Sequence, residues 1–290
     1  MEIVAAILFQ AVQSIAMKKV HTAGVRQSML VTGGLAGLIA AGFWCCAPFL
    51  GIGFHWFTVG MGILYGGLFV ATMFCYYSAM QCGPLSYTTF FFSASMLIPS
   101  LAGIVLWKEP FTWPVGIGIC LFLAAFYLVG VPGGERGQRM SGKWIALCFL
   151  CWLGNGCCSL VVKAHQMQMG GRESEELLIA AFSSAALIAL LLYGGMRMRS
   201  GAAAGGDAAL LRRSLGWLVL AAMGNGVGNA LVTYLSTRLP GTYLYPMVLG
   251  GMLLAVTLYS VFVLKEAISK RGIAGIVIGF AAIVVINIGR

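Results

Sequence analysis

Polar side chains that could bind a solute recur inside otherwise apolar stretches of this sequence. Gln10, Gln13 and Ser14 are spaced i, i+3, i+4, so they share one face of a helix. Polar groups within a lipid-spanning helix are costly unless they have a partner or a function. The stripe indicates either a site for a hydrogen-bonding solute or bonds between helices, which stabilise by only about 0.6 kcal/mol on average.

Amide side chains flanked by glycine form a second pattern. Asn155 lies between two glycines and shares a helical face with Ser159. Asn225 and Asn229, one turn apart, belong to the stretch Gly-Asn-Gly-Val-Gly-Asn. Flanking glycines soften a helix and let a ligand or another backbone come close, so both a binding site and close helix packing fit the pattern.

A third polar face is expected where proline interrupts an apolar run. Thr88, Phe92 and Ser95 follow one face that ends at Pro99, which removes a backbone hydrogen bond and predicts a hinge. Tyr245 occupies the equivalent face of a later run. Both faces are candidates for contact with substrate.

The composition shows what kind of element carries these residues. Of the 290 residues, 60% are hydrophobic and 9% are charged, against about 25% charged in an average soluble domain. Mean hydropathy is +0.93. The chain is therefore predicted to be an all-α integral membrane protein, which excludes secreted scaffolds, cytosolic enzymes and nucleic-acid binders. The net charge of +10 is then attributed to Lys and Arg in the loops, which orient the chain in the membrane.

Charged and turn-forming breaks divide the chain into segments long enough to span a bilayer. Ten are predicted, roughly at 3–17, 29–50, 56–79, 85–107, 113–131, 144–162, 176–195, 215–237, 242–264 and 272–289. The stretch 196–214, rich in Gly and Ala, is predicted to be a flexible loop with basic edges.

The two halves of the chain can be superposed. Lys108-Glu109 meets Lys265-Glu266 at an offset of 157, and Ser14-x-x-x-Lys18 meets Ser159-x-x-x-Lys163 at an offset of 145. The halves are predicted to be a five-helix repeat at 1–131, a loop at 132–143 and a second repeat at 144–290. Because five is odd, the second half must be inverted in the membrane, and inverted repeats are typical of secondary transporters.

These features resemble the EamA family of the drug/metabolite transporter superfamily. The stretches that carry the resemblance are Ile98–Gly130, with Trp-Lys-Glu and then Gly-Ile-Gly, and Pro246–Gly289, with Leu-Lys-Glu and then Gly-Ile-Ala-Gly. The resemblance implies alternating access around a central cavity lined by predicted spans 1, 3, 4, 6, 8 and 9. It says little about the substrate.

The position of the acids narrows the expected substrate. None of the eight lies near the middle of a predicted span, where proton relays and cation sites usually place a carboxylate. A small neutral or zwitterionic metabolite, such as an amino acid or a related compound, is expected. The alternatives are proton-coupled efflux of organic cations or drugs, with Glu2 as the coupling acid, and a membrane receptor that does not transport.

The remaining expectations concern partners and charges. The sequence has no Walker motif, so ATP is not the direct driver; no cofactor, metal or catalytic activity is expected. The expected partners are a small-molecule substrate and membrane lipid, and no nucleic-acid partner is expected. The expected location is a bacterial plasma membrane. The sequence is compatible with a homodimer as well as a monomer. Lys108, Glu109, Lys265 and Glu266 are either gate residues or helix-end charges.

Two further interpretations concern basic residues. Lys18 and Lys163 either attract an anionic group or extend to the membrane surface. Alternate loops carry 13 and 5 basic residues, which places both termini outside, whereas the resemblance implies that they are cytoplasmic.

Overall fold

The computed structural model describes the chain apart from residues 21, 23, 83–84, 131–140, 201–204, 264–269 and 289–290. About 89% of the chain is helical, and the described part contains no strand. The helices are α1 (Glu2–Lys18), α2 (Val25–Leu50), α3 (Trp56–Cys82), α4 (Leu85–Ala94), α5 (Leu97–Trp107), α6 (Trp113–Gly130), α7 (Gly142–Met169), α8 (Ser174–Ser200), α9 (Gly205–Ser236), α10 (Gly241–Tyr245), α11 (Gly251–Phe262) and α12 (Lys270–Ile288); a π-helical segment, Pro246–Gly250, joins α10 to α11.

Length and hydropathy make this an all-α membrane protein. Six stretches in the described part are long and apolar enough to cross a bilayer: Val25–Phe49, Trp56–Ala79, Gly142–Met169, Ser174–Arg199, Gly206–Ser236 and Gly241–Tyr259. Shorter apolar helices occupy Phe91–Trp107, Trp113–Ala125 and Ile273–Ile286. Many large apolar side chains are exposed on the outside, such as Leu191 and Val105, which suits a surface that faces lipid.

Two of the predicted spans are interrupted where proline occurs. The run 85–107 is broken at Ser95-Met96, because Pro99 cannot donate to the Ser95 carbonyl and its ring crowds that turn. The run 242–264 contains the π-helical segment, which begins at Pro246. A π-helical turn or a break at membrane depth requires that the freed backbone groups find other partners.

The prediction of a flexible loop at 196–214 is wrong for most of its length. Helix α8 continues to Ser200 and α9 begins at Gly205, so only residues 201–204 fall outside the described structure. The start of α9 is held by Asp207, whose carboxylate accepts hydrogen bonds from the Arg26 guanidinium at 3.1 Å and the Tyr193 hydroxyl at 2.9 Å. This buried anchor, rather than local composition, keeps the stretch helical.

The predicted boundary between the halves falls between α6 and α7. Helix α6 ends at Gly130 and α7 begins at Gly142, where the Ser141 hydroxyl caps it by accepting from the Trp144 N–H. Residues 142–143 of the predicted loop are therefore helical, and 131–140 lie outside the described residues.

The helices pack in pairs around two apolar cores. α1 lies against α9, α3 against α7 and α8, α2 against α8 and α9, and α6 against α12. One core joins α2, α3 and α8 around Leu35, Phe69 and Phe182. The other joins α6, the π-helical segment and α12 around Phe122 and Ile286. The space between the two cores contains a cavity.

Candidate functional site

A cavity of about 690 Å³, including its open mouth, lies between α1, α3, α4, α7, α9, α10 and the π-helical segment. Its lining combines amides, hydroxyls, aromatic rings and aliphatic side chains: Gln10, Gln13, Tyr65, Phe69, Thr72, Met73, Phe92, Asn155, Cys158, Ser159, Val162, Asn225, Asn229, Val232, Tyr245, Val248 and Leu249. Eight of the eleven residues predicted to bind substrate are in this set, although they come from five separate segments of the chain.

The other three predicted residues lie behind the cavity wall. The Ser14 hydroxyl donates to the Gln10 carbonyl at 3.1 Å and contacts the Met252 sulfur. Thr88 is buried and accepts a hydrogen bond from the Trp144 indole at 3.2 Å. Ser95 supports the wall indirectly, through the amide described next.

Asn155 connects α7 to the break between α4 and α5. Its Nδ2 donates to the Ser95 hydroxyl at 2.6 Å and to the Phe92 carbonyl at 3.4 Å. The Ser95 hydroxyl also donates to the Phe92 carbonyl at 2.6 Å. The Ser95 N–H also donates to this carbonyl, at 3.3 Å, so the side chains add to the turn that replaces regular helix above Pro99. Asn155 therefore stabilises the break between α4 and α5 beside the cavity. Its side-chain oxygen, Oδ1, is still able to accept a hydrogen bond.

The two amides of α9 form a fixed pair. Asn229 Nδ2 donates to the side-chain oxygen of Asn225 at 2.8 Å, and Asn229 in turn accepts from the Tyr65 hydroxyl at 3.3 Å. The bonds fix which end of each amide is the donor, because each oxygen is already an acceptor. Nδ2 of Asn225 is left as a donor in the cavity wall.

The amides of α1 differ because they lack such partners. In the described part of the chain, neither the Gln10 nor the Gln13 side chain makes a hydrogen bond, and both are half-buried. Each offers two N–H donors and a carbonyl acceptor to a solute in the cavity. Opposite them, Tyr245 uses its hydroxyl to bond the Ser159 carbonyl at 3.0 Å, which leaves its ring as a wall.

The resemblance implied that this third span lines the cavity, but none of the α3 residues was predicted individually. Tyr65, Phe69, Thr72 and Met73 are spaced i, i+4, i+7, i+8 and therefore share one helical face. Aromatic rings and threonine are ordinary in a lipid-facing helix, so only this periodicity could have identified them.

Charge is absent from the lining that the structure describes. Glu2, the candidate coupling acid, is exposed at the start of α1 and is not among the lining residues. Outside this lining, the side chains of Glu109 and Lys163 form an ion pair of 3.0 Å. Lys163 follows the lining residue Val162 in α7.

This ion pair bears on two sets of alternatives that the sequence left open. Lys163 does not extend to the membrane surface; its side chain is 3% exposed because Glu109 and two backbone carbonyls surround it. Glu109 pairs with this distant residue rather than with Lys108, which is exposed in a left-handed conformation at the end of α5. Lys265 and Glu266 lie outside the described residues.

Comparison with known proteins supports the fold and does not identify an activity. No family model matches the chain, and no curated protein matches it. Among 28 similar chains of solved structures is a crystal structure described only as that of a protein, with a TM-score of 0.66 and 16% sequence identity. The match covers 99% of this chain and 96% of that one, so the whole arrangement of helices occurs in a protein solved by crystallography.

Proposed function

We propose that this protein is a secondary transporter that moves a small, neutral or zwitterionic polar metabolite across the membrane by alternating access. The observation that carries the proposal is the polar cavity inside an apolar helical bundle. Burying amides in such a bundle is costly, and the unbonded amides of Gln10 and Gln13 are not used to hold helices together. A bound solute would supply their missing partners.

The helix packing supports ten spans in two inverted halves of five. If α1 corresponds to α7, α2 to α8, and α3 to α9, exchanging the halves converts the α1–α9 contact into the α7–α3 contact. The α2–α8 and α6–α12 contacts are unchanged by the exchange, because each joins a helix to its own counterpart in the other half. In this proposal α4 and α5 are one broken span, and α10, the π-helical segment and α11 are its counterpart. Two interrupted helices at matching positions are typical of transporter binding sites.

Membership of the EamA family is part of the same proposal. It is supported by the quoted motifs, by the broken fourth and ninth spans and by the cavity between them. The apolar exterior requires a bilayer, and the bilayer we propose is a bacterial plasma membrane.

The lining favours a solute with a hydrogen-bonding end and an apolar end. Unbonded amide donors and acceptors lie on α1, whereas Phe69, Phe92 and Val248 present only apolar surface. Without a lining charge, the cavity cannot compensate the desolvation of a solute with net charge. An amino acid or a related compound meets these conditions, provided that its two charges partly neutralise each other.

Ligand-dependent thermal stability in detergent tests the proposal. Amino acids, nucleosides, sugars, vitamins and quaternary amines are added to the purified protein; a ligand at 100 times its Kd stabilises by about 2.7 kcal/mol. We expect a neutral or zwitterionic compound to raise the melting temperature, and Gln10→Ala to abolish the shift. Ser14→Ala is the matched control, because Ser14 lies on the same helix and outside the cavity.

Other results would replace the proposal with its alternatives. A shift produced only by organic cations and removed by Glu2→Gln would support cation efflux. Binding without counterflow in liposomes would indicate a receptor. A shift that Ser14→Ala removes as completely as Gln10→Ala would place the ligand elsewhere.

A further inference from the structure

The ion pair between Glu109 and Lys163 joins three segments that meet at one end of the cavity. Lys163 Nζ lies 3.0 Å from Glu109 Oε1 and also donates to the carbonyls of Ser236 at 2.7 Å and Leu239 at 3.3 Å. Glu109 Oε2 accepts the backbone N–H of Thr242 at 3.1 Å. The end of α5, the C-terminal part of α7 and the corner between α9 and α10 are thereby held together.

The local backbone aims Glu109 at this position. Lys108 adopts a left-handed conformation, with φ 51°, and the Glu109 N–H donates to the Gly103 carbonyl at 3.0 Å, which folds the chain back under α5. A Cβ on Gly103 would lie 2.5 Å from Glu109 Oε2. Glycine at 103 therefore leaves room for the carboxylate.

The pair borders the cavity directly. Lys163 follows the lining residue Val162, and Thr242 lies one turn before Tyr245, whose hydroxyl bonds Ser159 across the cavity wall. Both side chains are themselves buried, at 3% and 9% exposure. Separating α5 from α7 and from the α9–α10 corner would open a path to the lining residues.

We propose that Glu109 and Lys163 form a gate that closes one end of the cavity in the described state and separates when the transporter changes state. The inference rests on the proposed function, because only alternating access requires this end to open. A buried ion pair suits the role: its attraction is largely offset by desolvation, so the two charges regain hydration when they part. An apolar contact of the same area would expose apolar surface to water on opening, and no hydration of charges would offset that cost.

Access of a thiol reagent to the cavity tests the gate without any substrate. Ser159→Cys is made as reporter in a protein in which Cys157 and Cys158 are replaced by Ala, and a small charged thiosulfonate is applied to each face of membrane vesicles in turn. The reporter should react slowly from the face nearest the pair. In Glu109→Gln we expect the rate from that face to rise by at least about tenfold, equal to about 1.4 kcal/mol of lost closed-state stability.

Matched variants separate the gate from a general loosening of the bundle. Lys108→Gln removes an adjacent, exposed charge and should leave labelling unchanged. The double variant Glu109→Gln/Lys163→Met leaves no unpaired buried charge, so it should fold even if a single variant does not. The same protein without the Ser159→Cys reporter gives the background rate of the remaining cysteines.

The outcomes distinguish this inference from the transport proposal. If Glu109→Gln and the double variant label at the wild-type rate while the melting temperature falls, the pair is only a structural clamp and the gate is refuted. If labelling rises as expected but no solute is transported, the gated opening stands and the transport proposal fails. An equal rise in Lys108→Gln would also refute the gate.

Discussion

The close packing of α1 on α9 at Gly224 gives a prediction that can be worked out from distances. A Cβ on Gly224 would lie 2.6 Å from the Phe9 carbonyl oxygen and 2.8 Å from the Gln13 nitrogen, both backbone atoms. Ordinary contact begins at 3.4 Å, so Gly224→Ala must move the two helices apart by about 0.8 Å, the difference between 3.4 and 2.6. Overpacking of this kind costs about 1–3 kcal/mol.

The matched control is Gly216→Ala, also in α9, where a Cβ would meet no atom within 4 Å. Both substitutions improve helix propensity equally, by about 0.4–1 kcal/mol, so comparing the two variants isolates the packing effect. We expect Gly224→Ala to melt below Gly216→Ala by a few degrees, at roughly 2–4 °C per kcal/mol. It should also weaken ligand binding, because Gln13 is displaced. Equal melting temperatures for the two variants would refute the close packing of α1 on α9.

Three further predictions concern polar contacts outside this interface. Asn155→Ala removes the bond to Ser95 at the broken helix and should lower stability by about 1 kcal/mol in thermal melts; an unchanged melt would mean that water satisfies the break. Burial alone raises the pKa of Glu173. Hydrogen bonds from Thr58 and His55 outweigh burial and hold the pKa of Glu173 below its ordinary value of 4.5. The resulting stability is fully present above that value and is lost as the pH falls through the lowered pKa. Melts between pH 7 and 3 should therefore show a steeper decline in wild type than in Thr58→Val, and parallel curves would contradict this. Asp207→Asn weakens the buried anchor of α9 and should cost about 1–3 kcal/mol, whereas a melt like wild type would show that the anchor contributes nothing.

Much of the cavity could be predicted because its polar residues are exceptions within apolar helices. Gln10, Asn155 and Asn225 are conspicuous in the sequence since a bilayer penalises such side chains. Pro99 likewise predicted the interruption of the fourth span, because proline lacks the donor that a helix requires.

The rest depends on tertiary contacts that no local pattern contains. The pairing of Lys163 with Glu109, 54 positions earlier, requires α5 and α7 to meet, so the sequence could state only alternatives for both residues. Residues 205–214 look like a loop by composition, yet Asp207 is held by Arg26 near the other end of the chain. Tyr65 and Phe69 line the cavity only because α3 packs on α7 and α8.

Transport itself is tested most directly by counterflow in liposomes that contain the purified protein. The vesicles are loaded with a compound that shifts the melting temperature, and uptake of the same compound, labelled, is followed without any imposed ion gradient. Alternating access predicts transient accumulation of label in wild type and in Ser14→Ala, and its loss in Gln10→Ala. Binding of the compound with no accumulation of label in any of these proteins would contradict the account.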